Sequence, residues 1–314
     1  MAAWLRAARR SGGPAIYNVV RMLEQQLVNA LSLGCVYALF ALGFTLVFGV
    51  LGVINLSHGA VFMVGAYAAL AVVTHLAAPL WVALIVALLA SGLLGLAIDF
   101  LVLRPLRHRN APHLIPMIAT IGIAIFFNSG VQGVFGAENL RFPSELVPDK
   151  QLTVAGIQIS QLEVAIIVLS FALMAALMIV MRRTQLGRAL RAIAESPKAA
   201  ALLGINVEGL FYLTSFTAAA LGGVGGVLIA LYSNAVFPLM GQPMLHKGVA
   251  VIILGGMGDI RGALVGGLFL GFAEVLSVAY IGSTMRDAVA FGLLFLVLLV
   301  RPQGIFGKIL ERKA

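Results

Sequence analysis

Of the 314 residues, 61% are hydrophobic and only 11% are charged, far from the roughly 45–50% and about 25% of a soluble chain. That balance excludes a soluble enzyme and marks an integral membrane protein with no stretch long enough to build a separate soluble core. The net charge of +9, from 21 Lys and Arg against 12 Asp and Glu, then reads as the basic excess of cytoplasmic loops rather than as a nucleic-acid surface.

The N-terminal stretch places Arg6, Arg9 and Arg10 ahead of Gly12, Gly13 and Pro14, where a secretory signal needs an apolar run. Residues 1–23 are therefore expected to be an extension outside the fold, followed by a membrane domain over 24–307 and a short cytoplasmic tail over 308–314. Cys35 is the only cysteine, so it forms no intramolecular disulfide and builds no thiolate metal site.

A helix needs about 20 apolar residues to cross a hydrocarbon core about 30 Å thick. Such runs lie at 27–50, 57–76, 80–103, 113–135, 161–181, 209–232, 244–258, 262–282 and 286–301. The seventh is short and Gly-rich, which reads as broken or re-entrant. The expected fold is an all-α polytopic bundle of eight to nine crossings with broken segments and a cytoplasmic loop in the middle.

Basic residues set the orientation. Arg104, Arg107 and Arg109 assign one loop to the cytoplasm; Arg182, Arg183, Arg188, Arg191 and Lys198 assign another. The 137–159 loop, with Glu138, Glu145 and Asp149 against Arg141 and Lys150, belongs outside. Counting back places the N-terminus outside, against its own arginines. Either the extension is not native or an early segment fails to cross fully.

Between the first two spans, "GVLGVINLSHGAVF" sets Asn55, Ser57 and His58 among Gly49, Gly52 and Gly59. Polar backbone at membrane depth persists only where it lines a cavity or is buried in protein, and broken helices are where transporters place substrate contacts and gates. Asn55, Ser57, His58 and Gly59 are path or gate candidates on that ground, joined by Thr120 and Asn128 inside the fourth span. The opposing reading, of equal weight, makes Asn55 a helix cap and His58 a buried partner for a carbonyl. Asp99 lies close enough to Arg104 to reach toward it at the interface.

Further on, the Gly258/Gly262 and Gly267/Gly271 pairs put small residues four apart, a helix-packing pattern that serves either the bundle or a seam with a second subunit. Asp259 and Arg261 read as an orienting pair. Gly59-Ala60 and Gly262-Ala263 hint at a weak internal repeat. Glu274 is the most isolated acid in an apolar run and joins the path candidates, since intramembrane ionisable groups are functional by default. Its favoured role is structural, as a partner for a backbone donor or for Lys247. The histidines show no paired spacing for a metal, and no nucleophile–base or paired-acid constellation supports catalysis.

The central segment "RRTQLGRALRAIAESPKAAALLGIN", residues 182–206, is unlike the rest. On a helix, Leu186, Leu190 and Ile193 share one face while Arg188, Arg191 and Glu195 share the other. Ser196 suits an N-cap with Pro197 at the first helical position, and Gly204 suits a stop. Two short helices joined at Ser196-Pro197 are expected. A basic connector lying on anionic headgroups would explain the charge but not the second, separately capped helix.

This segment resembles the coupling loop of the LivH-type permease subunits of branched-chain amino acid ABC importers. "LSLGCVYALFALGFTLVFGVLGVINLSHGAVFMVGAY", "HLIPMIATIGIAIFFNS", "VAVIILGGMGDIRGALVGGLFLGFAE" and "MRDAVAFGLLFLVLLVRPQGIFG" resemble the same family in the same order, from about Glu24 to Gly307. The resemblance implies a subunit of a bacterial inner-membrane importer that works with two cytosolic ATPases, a second related permease or a copy of itself, and a periplasmic binding protein. It makes Gly187, Arg188, Arg191, Glu195, Ser196 and Pro197 the ATPase-coupling candidates. The chain has no G-x-x-x-x-G-K-[ST] loop, so ATP and Mg belong on the partners and no cofactor is expected here. Branched-chain amino acids are the implied substrates; similar permeases serve other amino acids, amides, urea and small aromatic acids. The rival class is a self-sufficient secondary carrier or channel, which needs ion-coupling groups along its path.

Overall fold

The computed structural model describes residues 14–112, 114–143, 151–154 and 157–307. The first thirteen residues, the tail 308–314 and part of the outer loop lie outside the described residues.

Helix α1 runs over Pro14–Leu51. Residues 14–23 thus continue the first helix, and Pro14 occupies a first-turn position where its missing N–H has no intrahelical acceptor to lose. There follow α2 (His58–Leu76), α3 (Leu80–Ile98), a π segment (Asp99–Leu103), α4 (Arg104–His108) and α5 (Leu114–Phe135). Strands β1 (Gln151–Val154) and β2 (Ile157–Ser160) pair antiparallel and lead into α6 (Gln161–Arg183), which opens on a capping box of Ser160 and Glu163. Then come α7 (Gln185–Glu195), α8 (Pro197–Leu202), α9 (Val207–Ser233), α10 (Gly241–Gly255), α11 (Ile260–Tyr280), a 3-10 turn (Ser283–Met285) and α12 (Arg286–Val300).

Among the described residues, eight helices are long and apolar enough to cross a membrane. The segment expected over 244–258 is not one of them. As α10 it has 15 residues, about 22 Å at 1.5 Å per residue, and it ends at Gly256 with φ +104°.

Two helices form the centre. The apolar window of α1 is 89% buried and that of α9 78%, against 11% for α5 and 6% in the last span. Close approach explains the glycines. A Cβ on Gly267 or Gly271 would collide with Ala38 and Gly34 of α1, and one on Gly95 would meet Ala219 of α9. The Gly267/Gly271 pair thus packs the bundle internally.

Backbone ties define the two ends. Leu140 and Val236 form a β-bridge, N–H to O at 2.9 and 2.8 Å, which joins the α5–α6 and α9–α10 connections. At the opposite end Ile305 and Phe306 donate to Leu254 O and Gly255 O at 2.8 and 3.0 Å. That end also carries α4, α7 and α8 with their arginines and Lys198, and is cytoplasmic by the charge rule.

Candidate translocation and coupling sites

The α1–α2 break lies inside the bundle. α1 stops at Gly52 (φ +68°), and the chain turns back so that His58 opens α2 beside Gly43 of α1 and Gly222 of α9. Gly43 is about 12 Å up the axis from the end of α1. Three of the candidate polar groups hold this return together. The Asn55 Oδ1 accepts from the Ser57 N–H (3.0 Å) and the Ser57 hydroxyl (2.5 Å). Thr120, fully buried on α5, accepts from the Leu56 N–H (3.1 Å) while donating to Met117 O (2.7 Å).

His58 is sealed. It is 2% exposed, with the Phe40 and Phe44 rings at 4.7 and 5.7 Å, and its Nε2 has no partner among the described residues. Asn128 does not join the group. It lies eight residues beyond Thr120, about 12 Å farther along and about 80° round the helix.

A second broken segment meets the first. After α9 ends at Asn234 (φ +46°) the chain reaches inward, and α10 starts at Gly241 against Gly59. A Cβ on Gly59 would stand 2.6 Å from the Gly241 carbonyl, and one on Gly241 would collide with the Gly59 carbonyl. Two helix N-termini therefore abut within the bundle, each with the positive end of its dipole. Beside them Gln242 is an exposed amide, flanked by Leu239 at 47% exposure. The sequence reading passed over Gln242; the Gly-Gln-Pro run ahead of an apolar stretch is the helix-start signal that could have found it. Gly262, the supposed counterpart of Gly59, packs instead against Gly255.

Glu274 sits elsewhere. It is fully buried and held on three sides: Tyr37 Oη donates at 2.8 Å, Lys247 Nζ lies at 2.6 Å, and Arg286 shares the same oxygen as Lys247. Lys247 also approaches Asp287 at 3.7 Å. Two cations, two anions and the Tyr37 phenol thus join α1, α10, α11 and α12. Tyr37 lies about 21 Å up α1 from its cytoplasmic end, so this cluster belongs to the outer half.

At the cytoplasmic end Asp99 is fully buried, and Arg107 grips it with both terminal nitrogens, at 2.6 and 3.2 Å. Arg107, not Arg104, is its partner. The π segment absorbs one extra residue, so position i+8 lies over position i as i+7 does in a regular helix. Arg107 also reaches Glu208 of α9 at 3.4 Å and lies over the Phe211 ring at 4.5 Å, while Arg104 and His108 approach Glu208 at 3.8 and 3.6 Å. Asp259 caps α11, accepting from the Arg261 and Gly262 N–H groups at 2.7 and 3.1 Å.

The central loop is the expected pair of short helices. Thr184 caps α7, accepting from the Gly187 N–H at 3.2 Å. Gly187 is where α7 lies on the end of α6, since a Cβ there would collide with the Met181 carbonyl. Leu190 and Ile193 are buried, and Leu186 is 37% exposed. The Arg191 side chain turns back to donate to Met181 O, which makes it a clasp between α6 and α7. The Ser196 hydroxyl caps α8, accepting from the Ala199 N–H at 3.3 Å. Arg188, Glu195 and Pro197 are exposed. So are Leu202 and Leu203, the last residue of α8 and its C-cap, at 89% and 80%; nothing in the sequence singles them out, because a six-residue helix has no periodicity that shows which face is bare.

The profile of the family described as the permease component of branched-chain amino acid transport systems matches residues 26–298. Over 307 residues the chain is 38% identical to the high-affinity branched-chain amino acid transport system permease protein BraD of Pseudomonas aeruginosa, covering 94% of this chain and 98% of that protein. It is 37% identical over 297 residues to the corresponding permease protein LivH of Escherichia coli, covering 90% and 95%. A probable LivH of Methanocaldococcus jannaschii is 32% identical over 290 residues, covering 86% and 88%. The chain belongs to this permease family. No solved structure matches it. The chain is a multi-pass inner-membrane protein, and its candidate sites divide between broken helices inside the bundle and a two-helix loop at one end.

Proposed function

We propose that this permease is a membrane-spanning subunit of an ATP-driven importer that carries branched-chain amino acids into the cytoplasm. It pairs with a second permease, related or identical, and receives substrate from a periplasmic binding protein. Two cytosolic ATPases hold ATP and Mg and act on it through α7 and α8; the permease itself carries no cofactor.

The observation that supports this reading most is the build of the coupling loop. α7 is clamped to α6 by the Gly187 contact and the Arg191 clasp, while α8 projects Leu202 and Leu203 into water. Exposed leucines on a short fixed helix suit a docking knob, and a rigid connection to α6 is what passes a push into the membrane. Arg188, Glu195 and Pro197 complete the contact face, while Gly187, Arg191 and Ser196 hold its shape. Within the bundle, Asn55, Ser57 and Thr120 brace the break, and the Gln242 amide beside the abutting α2 and α10 N-termini faces the path. Such N-termini suit the carboxylate of an amino acid.

Isolation of the C-terminally tagged protein from its native membrane in a complex-preserving detergent, with mass spectrometry of its partners, tests the reading. Two P-loop ATPases and a second permease are expected, with ATP-dependent uptake of labelled leucine, isoleucine and valine by the reconstituted complex. Recovery of the chain alone, with uptake that ignores ATP, would replace the importer by a self-sufficient carrier.

A further inference from the structure

A cavity of about 360 Å³ opens between α1, α3, α6, α7 and α9, within the size range of ligand pockets. Leu173, Leu177 and Val180 of α6 and Leu221 of α9 line it, and Leu186 and Leu190 of α7 line its cytoplasmic end. Among the described residues its hydroxyls are those of Thr214 and Thr217, already engaged: Thr214 donates to Leu210 O at 2.7 Å and Thr217 to Leu213 O at 2.8 Å. A zwitterionic amino acid would lose its hydration here and gain no polar partner, so the cavity does not belong to the transport path.

Its cytoplasmic rim is cationic. Arg183 follows Val180 by three residues and Ala176 by seven, so it continues the cavity-lining face of α6. It is exposed and has no carboxylate within 4 Å among the described residues. Arg191 stands beside the same rim, with one nitrogen on Met181 O, and Met181 itself lines the cavity.

We propose that this cavity binds an anionic phospholipid of the cytoplasmic leaflet, with an acyl chain between α6 and α9 and the phosphate at Arg183 and Arg191. The charge complementarity selects the headgroup, since basic pockets between helices on the cytoplasmic side hold anionic lipids. The apolar walls select the chain. Because Leu186 and Leu190 form one wall, the bound lipid supports α7 from beneath and couples the seating of the loop to leaflet composition.

The test needs no transport assay, so its outcome is independent of the proposed importer function. The full-length protein is placed in phosphatidylcholine nanodiscs with a small fraction of phosphatidylglycerol bearing a photoreactive group on one acyl chain, and adducts are mapped by peptide mass spectrometry. Adducts are expected on α6 and α9 at the cavity. Arg183→Gln, a surface change, lowers them by about fivefold, the equivalent of the roughly 1 kcal/mol that one basic residue contributes near an anionic surface. Ala176→Phe, which fills the cavity, removes them. A phosphatidylcholine probe labels the cavity weakly and is indifferent to Arg183→Gln. Equal labelling by the two lipids, or adducts spread evenly over α5 and α12, would overturn the proposal. So would protection of the cavity by a co-purified protein segment.

Discussion

The permease contains two buried charge clusters, and they differ in what they connect. In the outer cluster Glu274 is ringed by Tyr37, Lys247 and Arg286, and every charged group has a partner. It ties four helices in a region far from the coupling loop. In the inner cluster Asp99 and Arg107 form an equally buried core, but Glu208 connects it to the first turn of α9, directly after that loop. The outer cluster reads as an anchor. Under the proposed function, the inner one is expected to act as a joint between the loop of α7 and α8 and helices α3 and α9.

The largest expected effect breaks the anchor. Glu274→Ala leaves Lys247 and Arg286 without their carboxylate, which costs about 3–5 kcal/mol, seen as a large fall in the thermal unfolding temperature in detergent. Glu274→Gln keeps the shape and is expected to retain ATP-driven uptake at reduced stability. Loss of uptake in a folded Glu274→Gln protein would move this residue into the transport path.

The joint is expected to respond differently. Asp99→Asn removes a charge-assisted pair worth about 1.5–3 kcal/mol, and the deficit is expected in the coupling of ATP hydrolysis to uptake as well as in stability. If hydrolysis and uptake keep their normal ratio, the inner cluster is an anchor like the outer one. Arg191→Glu acts on the loop itself: the protein stays in the membrane while coupled uptake is abolished, because the clasp on Met181 O is replaced by repulsion.

The smallest effect on stability belongs to the docking knob. Leu202→Ser with Leu203→Ser changes solvent-facing residues and is expected to shift stability by no more than about 0.5 kcal/mol per site. ATPase recovery in a pull-down should nevertheless fall severalfold. Unchanged recovery would leave α8 with no docking role.

The spans were legible because hydropathy is local: each long helix announces its own membrane-crossing length, whether it faces lipid or, like α1 and α9, the bundle interior. The coupling loop was legible for the same reason, since the Leu186, Leu190, Ile193 stripe and the Ser196-Pro197 cap need only neighbours in sequence. The candidate path was only half legible. Asn55, Ser57 and Thr120 stand out as polar residues in apolar runs, and the bond from Ser57 to Asn55 two residues earlier is a local turn motif, yet nothing local reveals that Thr120 accepts from the backbone of the break, 64 residues away. Arg191 likewise has a helix face readable from sequence, and a backbone acceptor ten residues earlier that is not.

Composition and periodicity by themselves determined the membrane class, the place of the eight long helices to within a few residues and the two-helix shape of the cytoplasmic segment, but not whether 244–258 crosses. Tertiary structure decided that Gly59 meets Gly241, that Asp99 pairs with Arg107 across a π turn, and that Glu274 is neutralised by groups from three other helices. The physical reason is range. Burial in lipid and helix capping are settled within a few turns of chain, whereas an intramembrane charge or a bare helix end is satisfied by whichever distant segment the packing brings within about 3 Å.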